Sequence, residues 1–162
     1  TGQVERIKRL EEFLREEKPR EVARLAMELG IPYLLSQDPD AMLAYFGEAR
    51  ELEGLSQPQW VHWAYAFALL NAGRFDEAKA ELLAVLEESR DPLLRLLTAH
   101  MLEPFGAQNE RAAETVREAR EELHARYTRD KIDKELERQR HHLQVLFLSS
   151  RIEEARDWVF KS

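Results

Sequence analysis

Pro58 and Pro92 stand 34 residues apart, and so do Gly73 and Ala107, two small residues at turn positions. Ala44, Ala78 and Ala112 recur at the same interval, Leu82 matches Val116, Val85 matches Ala119 and Tyr65 matches Ala99. A fixed period of about 20–50 residues is the mark of a repeat architecture, and a unit of this length holds two helices with their turns. One such pair cannot bury its apolar face alone, so pairs must stack on one another.

The local patterns agree with helices throughout. Val4, Ile7, Leu10 and Leu14 form one stripe, predicting a first helix that ends near Lys18-Pro19. Pro19 suits a helix start, and Val22, Leu25, Ala26 and Leu29 follow it up to the stop at Gly30-Ile31-Pro32. Asp38-Pro39 is a second start, a capping side chain before a preset φ, leading into Met42, Leu43, Phe46, Ala49 and Leu52 before Gly54. Pro58 opens a helix carrying Trp60, Trp63, Ala64, Phe67 and Ala68, which Asn71-Ala72-Gly73 breaks. Phe75, Ala78, Leu82, Val85 and Leu86 trace the next, up to the cap Asp91-Pro92.

From Leu93 to Leu102 the chain is apolar on nearly every side, which predicts burial between neighbours, and Pro104-Phe105-Gly106 ends that helix. Ala112, Val116, Ala119, Leu123 and Tyr127 mark a long charged helix whose stripe slips near Thr128–Asp130, predicting a break. Ile132, Leu136, Leu143 and Leu146 resume it, and a short last helix is expected over about 151–160. No segment reads as a strand.

Composition narrows the function classes. The 162 residues carry no cysteine, which excludes disulfides, thiolate metal sites and thiol catalysis and fits a reducing, cytoplasmic setting. No apolar run approaches the ~18–20 residues of a membrane span, and Thr1-Gly2-Gln3-Val4-Glu5 lacks the apolar core of a signal peptide. A net charge of -7 argues against direct nucleic-acid binding, since a polyanion is met by a basic face. The phosphate-binding, dinucleotide, zinc-protease and serine-hydrolase motifs are all missing, so neither an enzyme nor a cofactor is expected.

The stretch Tyr65 to Leu86, Y-A-F-A-L-L-N-A-G-R-F-D-E-A-K-A-E-L-L-A-V-L, resembles a tetratricopeptide (TPR) repeat, with Gly73, Phe75, Glu77, Ala78 and Leu82 in the matching places. Ser150-Arg151-Ile152-Glu153-Glu154-Ala155 with Val159 is similar to a second, degenerate copy. The resemblance is good over residues 58–92, fair over 38–57 and 93–119, and weak elsewhere. It implies an all-α fold: a right-handed superhelical stack of antiparallel helix pairs, a TPR-like α-solenoid of about 8–9 helices. The chain then reads as one domain, residues 1–162, with an N-terminal helix over 1–18 and pairs near 19–57, 58–91, 92–128 and 129–162.

In that family the first helix of each pair lines a concave groove. Carried onto this chain, the groove positions are Trp60, Trp63, Phe67, Leu70 and Asn71, and one period on Leu94, Leu97, Met101 and Pro104. Trp60, Trp63, Phe67, Asn71, Leu97 and Met101 are the expected partner-binding residues, an aromatic and methionine surface suited to an apolar helix or peptide. The same residues also read as core, packed under the first helix folded back into the groove. Family members that clamp a terminal carboxylate use Lys, Arg and Asn where this chain has Trp63, Phe67, Leu97 and Met101, so that mode is not expected.

Glu121 and His124 share a helix face at the spacing di-iron bundles use, but no second copy accompanies them, and a solvated face is the expected reading. His141 and His142 are adjacent and point apart on a helix. Arg126, Arg129, Lys131, Lys134, Arg138 and Arg140 interleave with Asp130, Asp133, Glu135 and Glu137, as on a salt-bridged surface helix. The expected function is a scaffold that binds another protein through an apolar groove. The alternatives are a regulatory segment of a larger bacterial protein such as a transcription activator, compatible with a chain opening at Thr1, and a homodimer formed through a long helix over about 108–149.

Overall fold

The computed structural model describes residues 39–51, 58–139 and 143–161, and every element in them is helical. In chain order these are α1 (Pro39–Ala49), α2 (Pro58–Asn71), α3 (Phe75–Glu88), α4 (Pro92–Leu102), a 3-10 turn (Glu103–Ala107), α5 (Glu110–Arg126), α6 (Arg129–Arg138) and α7 (Leu143–Phe160). The helices expected before Pro39 and the His141-His142 pair lie outside the described residues. The chain divides into two compact units, Thr1–Ala78 and Lys79–Ser162.

In the first unit α1 packs on α2. Phe46 and Ala49 of α1 are fully buried, and the Arg50 guanidinium lies 4.0 Å over the Tyr65 ring, a cation–π contact. Helix α2 buries more than the expected stripe: Val61, Ala66 and Leu69 are as enclosed as Trp63 and Ala64. It is apolar all round, which is the signature of a helix covered on every side.

The end of α2 is set by Gly73, whose φ is +77°. The Arg74 N–H donates to the Leu69 carbonyl at 2.9 Å and the Gly73 N–H to that of Leu70 at 3.1 Å. These two bonds are the Schellman pattern, which satisfies the last carbonyls of a helix only if the intervening residue turns left-handed. Arg74 then reaches Glu77 at 2.6 Å on the first turn of α3, and this hydrogen bond holds the Glu77 carboxyl below the usual glutamate range.

In the second unit α4 is the central element, in contact with α5, α6 and α7. Leu93, Leu94, Leu96, Leu97, Thr98, Ala99 and Leu102 are all buried, as an all-round apolar helix requires, and the Thr98 hydroxyl donates to the Leu94 carbonyl at 2.6 Å. Asp91 starts this helix in an extended conformation, its Oδ1 accepting the Leu93 N–H at 2.9 Å ahead of Pro92. The buried Gln139 amide, just past α6, donates to the same oxygen at 3.3 Å and to Glu135 at 2.8 Å.

Arg95 joins three helices. Its Nη1 donates to the Leu86 carbonyl at 2.6 Å and to that of Ser89 at 3.3 Å, at the open end of α3, while its Nη2 meets Glu122 of α5 at 3.0 Å. Helix α3 has no basic residue in its last turn and closes on Glu87-Glu88, so a cation brought from α4 answers its negative end.

Asn109 caps α5 through the Ala112 N–H at 2.9 Å, and Gly106 of the preceding turn lies so close that a Cβ there would sit 3.1 Å from the Ala113 Cα. The expected break is present: Tyr127 and Thr128 are extended, and the Thr128 hydroxyl caps α6 through the Lys131 N–H at 3.1 Å. A continuous helix over 108–149, on which the homodimer reading leaned, is therefore not formed. The last helix runs unbroken from Leu143 instead of starting near Arg151. Among its described side chains, Leu148, Ile152, Ala155 and Val159 are buried. Arg129–Asp157 at 2.7 Å and Arg156–Asp133 at 2.6 Å hold it to α6.

Two substitutions test this account. Gly73→Ala meets no neighbouring atom within 4 Å, so it costs only the left-handed backbone, about 1 kcal/mol. Urea unfolding should show that loss with an unchanged circular dichroism spectrum. Arg95→Met leaves the α3 carbonyls and Glu122 without their charged donor and should cost about 2–3 kcal/mol in the same measurement. A loss below about 0.5 kcal/mol, the level of an ordinary surface substitution, would show that the three helices hold without it.

Candidate functional site

The expected groove residues are mostly interior. Trp60 meets Trp63 edge-on with ring centroids 6.0 Å apart, and Trp63 stacks on Phe67 at 5.3 Å. Trp63 is 0% exposed, Phe67 6% and Leu97 1%. Trp60 and Leu94 are likewise buried. Asn71 and Pro104 are exposed, and Met101 and Leu70 are half-buried. The open apolar groove therefore gives way to the alternative reading of the same residues, as core. Aromatic rings of this size bury about 150–250 Å² each, and leaving three of them in water would forgo several kcal/mol.

A different face gathers accessible functional groups. Trp158, near the end of α7, lies between His100 of α4, with centroids 5.2 Å apart, and the Arg120 guanidinium of α5, 4.7 Å from its ring. Arg120 also donates from Nη2 to the Trp158 carbonyl at 2.6 Å. Helix α7, like α3, has no basic residue in its last turn, and Arg120 supplies the missing cation from outside. The Trp158 indole Nε1 is buried without an acceptor among the described residues, a state that costs about 1–3 kcal/mol.

Beside this stack are two shallow depressions. One, of about 360 Å³, is lined by Arg117, Arg120, Glu121, His124, Val159 and Lys161. The other, of about 560 Å³, is lined by Arg129, Asp157, Trp158, Phe160 and Lys161. Lys161 borders both. His124 rests on the Phe160 ring at 5.6 Å, so Glu121 and His124 belong to this surface. Among the described residues no three His, Cys, Asp or Glu gather as a metal would need.

The face was missed in the sequence because two of its parts come from a distant helix. Half of it had a local signal: Arg117, Arg120, Glu121 and His124 are spaced i, i+3, i+4 and i+7 and so lie on one side of α5. The charged run further along is the salt-bridged surface expected, with Lys134–Asp130 at 3.1 Å, Arg126–Glu122 at 3.5 Å and Arg138 paired with Glu135. Arg138, aided by Gln139, holds the Glu135 carboxyl below its usual range against the opposing effect of burial. No helix among the described residues is long and apolar enough to cross a membrane.

Fold and face together define an all-helical protein with a cationic, aromatic surface at the end of its last helix. The chain belongs to the family described as "Uncharacterised Treponema protein", whose model matches residues 6–161. It is 26% identical over 168 residues to an "Uncharacterized protein" of Treponema pallidum (strain Nichols). That match covers 96% of this chain and 53% of the relative, so the chain spans about half the relative's length. No solved structure matches.

The family is not the tetratricopeptide one, and the resemblance drawn from Tyr65–Leu86 is overturned as an assignment. Its motif positions record what any close helix pair needs: a left-handed turn at Gly73 and small residues where backbones approach. Two further positions depart from the pattern, since Phe75 is 57% exposed and Ala44 is exposed while Ala78 and Ala112 are fully buried.

Burial of the α2 aromatics has a direct test. Trp63→Glu places an unpaired carboxylate in the interior and should cost several kcal/mol, visible as loss of helical signal or a melting point lowered by many degrees. Full retention of stability would return Trp63 to the surface and restore the groove.

Proposed function

We propose that this chain is a helical binding module that holds another protein through the face built by α5 and the end of α7. The observation that carries the reading is the gathering of Arg117, Arg120, His124, Phe160 and Lys161 around Trp158 and its two depressions. Tryptophan and arginine are the side chains that most often anchor protein interfaces. The reading makes the protein a scaffold in the cytoplasm and not an enzyme.

The architecture proposed with it is a series of helix pairs. In its favour, α2 and α4 begin at Pro58 and Pro92, and α3 and α5 at Phe75 and Glu110, close to the 34-residue interval of the sequence. A second reading, that the chain is the regulatory part of a larger bacterial protein, has its own support: the Treponema pallidum relative extends well beyond the matched region. The two are compatible, because a regulatory segment also acts by contact.

The test compares the wild type with the double variant Arg117→Glu/Lys161→Glu. Both side chains are exposed, so the fold should be unchanged by circular dichroism. Captured from the native lysate, the same partner should be retained by the wild type and lost by the variant. Equal retention by both removes this face from the proposal.

A further inference from the structure

Three features of the α5–α7 face point to the chemistry of its ligand. The first is uncompensated charge. The 360 Å³ depression has three permanent cations, Arg117, Arg120 and Lys161, against the single carboxylate of Glu121. Arg117 has one ion pair, a 3.9 Å contact with Glu114, and Lys161 has none among the described residues. By contrast Arg129–Asp157 and Arg156–Asp133 are matched at 2.7 and 2.6 Å.

The second feature is the wall. Val159, Phe160 and Trp158 give both depressions an apolar side, so a ligand with hydrocarbon between its charges fits better than a hydrated ion. The third is the Trp158 indole N–H, a donor without an acceptor among the described residues. It belongs to the ring that the Arg120 guanidinium covers at 4.7 Å.

We propose that this face binds an acidic, partly apolar peptide segment of a partner protein, its carboxylates against Arg117, Arg120 and Lys161 and its apolar side chains on Phe160 and Trp158. The proposal rests on the protein-binding reading and deepens it by naming the ligand. A peptide is favoured over a nucleic acid because the chain as a whole carries -7. A long polyanion meets that field along its length, whereas a short segment meets only charges within a Debye length of about 10 Å.

The experiment titrates the full 162-residue chain by calorimetry with three probes: a short Glu/Leu peptide, its Gln/Leu twin and a single-stranded oligonucleotide. The Glu/Leu peptide should bind, weaken about tenfold with Arg117→Glu/Lys161→Glu, and weaken further as salt rises. The Gln/Leu twin and the oligonucleotide should bind at least about tenfold less tightly than the Glu/Leu peptide.

Equal binding of the Glu and Gln peptides overturns the acidic ligand and leaves protein binding standing. Tighter binding of the oligonucleotide overturns the choice of a peptide. Absence of Glu/Leu binding overturns the proposal, and the partner-capture comparison then decides separately whether the face binds protein at all.

Discussion

A helix ends with carbonyl groups that have no partner within it, and four of the described helices, α1, α2, α3 and α7, have no basic residue in the last turn. α3 closes on Glu87-Glu88 and α7 on Trp158-Val159-Phe160. In each case an arginine from a neighbouring helix reaches the carbonyl two residues before the last: Arg95 to Leu86 and Arg120 to Trp158, both at 2.6 Å. A guanidinium can do this because it is always charged and presents its donors as a rigid fork. Arg95 uses both terminal nitrogens, with two carbonyls of the α3 end and Glu122 of α5 on one side chain. These bonds tie α4 to α3 and α5, and α5 to α7, and satisfy carbonyls that have no partner within their own helix.

Local chemistry was legible and long-range chemistry was not. Gly73, Asp91-Pro92 and the slip near Thr128 are read from adjacent residues, because a cap or a left-handed turn is decided within one helical turn. Ser150 misled for the same reason. It stands where an earlier copy of the pattern has glycine, but serine tolerates a helix interior, and α7 runs straight through it. The partners of Arg95 lie up to 27 residues away and that of Arg120 lies 38 away, and no periodicity predicts such pairings.

The α2 aromatics show the same limit from the other side. Their spacing marks a helix face correctly, but periodicity does not say whether that face meets solvent, a partner or the chain itself. The burial of Trp60, Trp63 and Phe67 alongside Val61, Ala66 and Leu69 answers this with an interior. A family resemblance built on the turn and on alanine spacing carried the groove with it, although both features follow from close helix packing alone.

The cationic face is compatible with an acidic chain because electrostatics at a surface is local. Charges paired within a few ångströms, as in Arg95–Glu122, Arg129–Asp157 and Arg156–Asp133, contribute little field beyond a Debye length. What a ligand meets at the end of α7 is Arg117 with a partner at 3.9 Å, Lys161 with none among the described residues, and Arg120 held against Trp158. Arg120 has two roles, for it completes the helix end and covers the Trp158 ring beside the site at once. Its position is fixed by the fold before any ligand arrives, and a side chain already ordered for a structural reason adds little further entropy cost on binding.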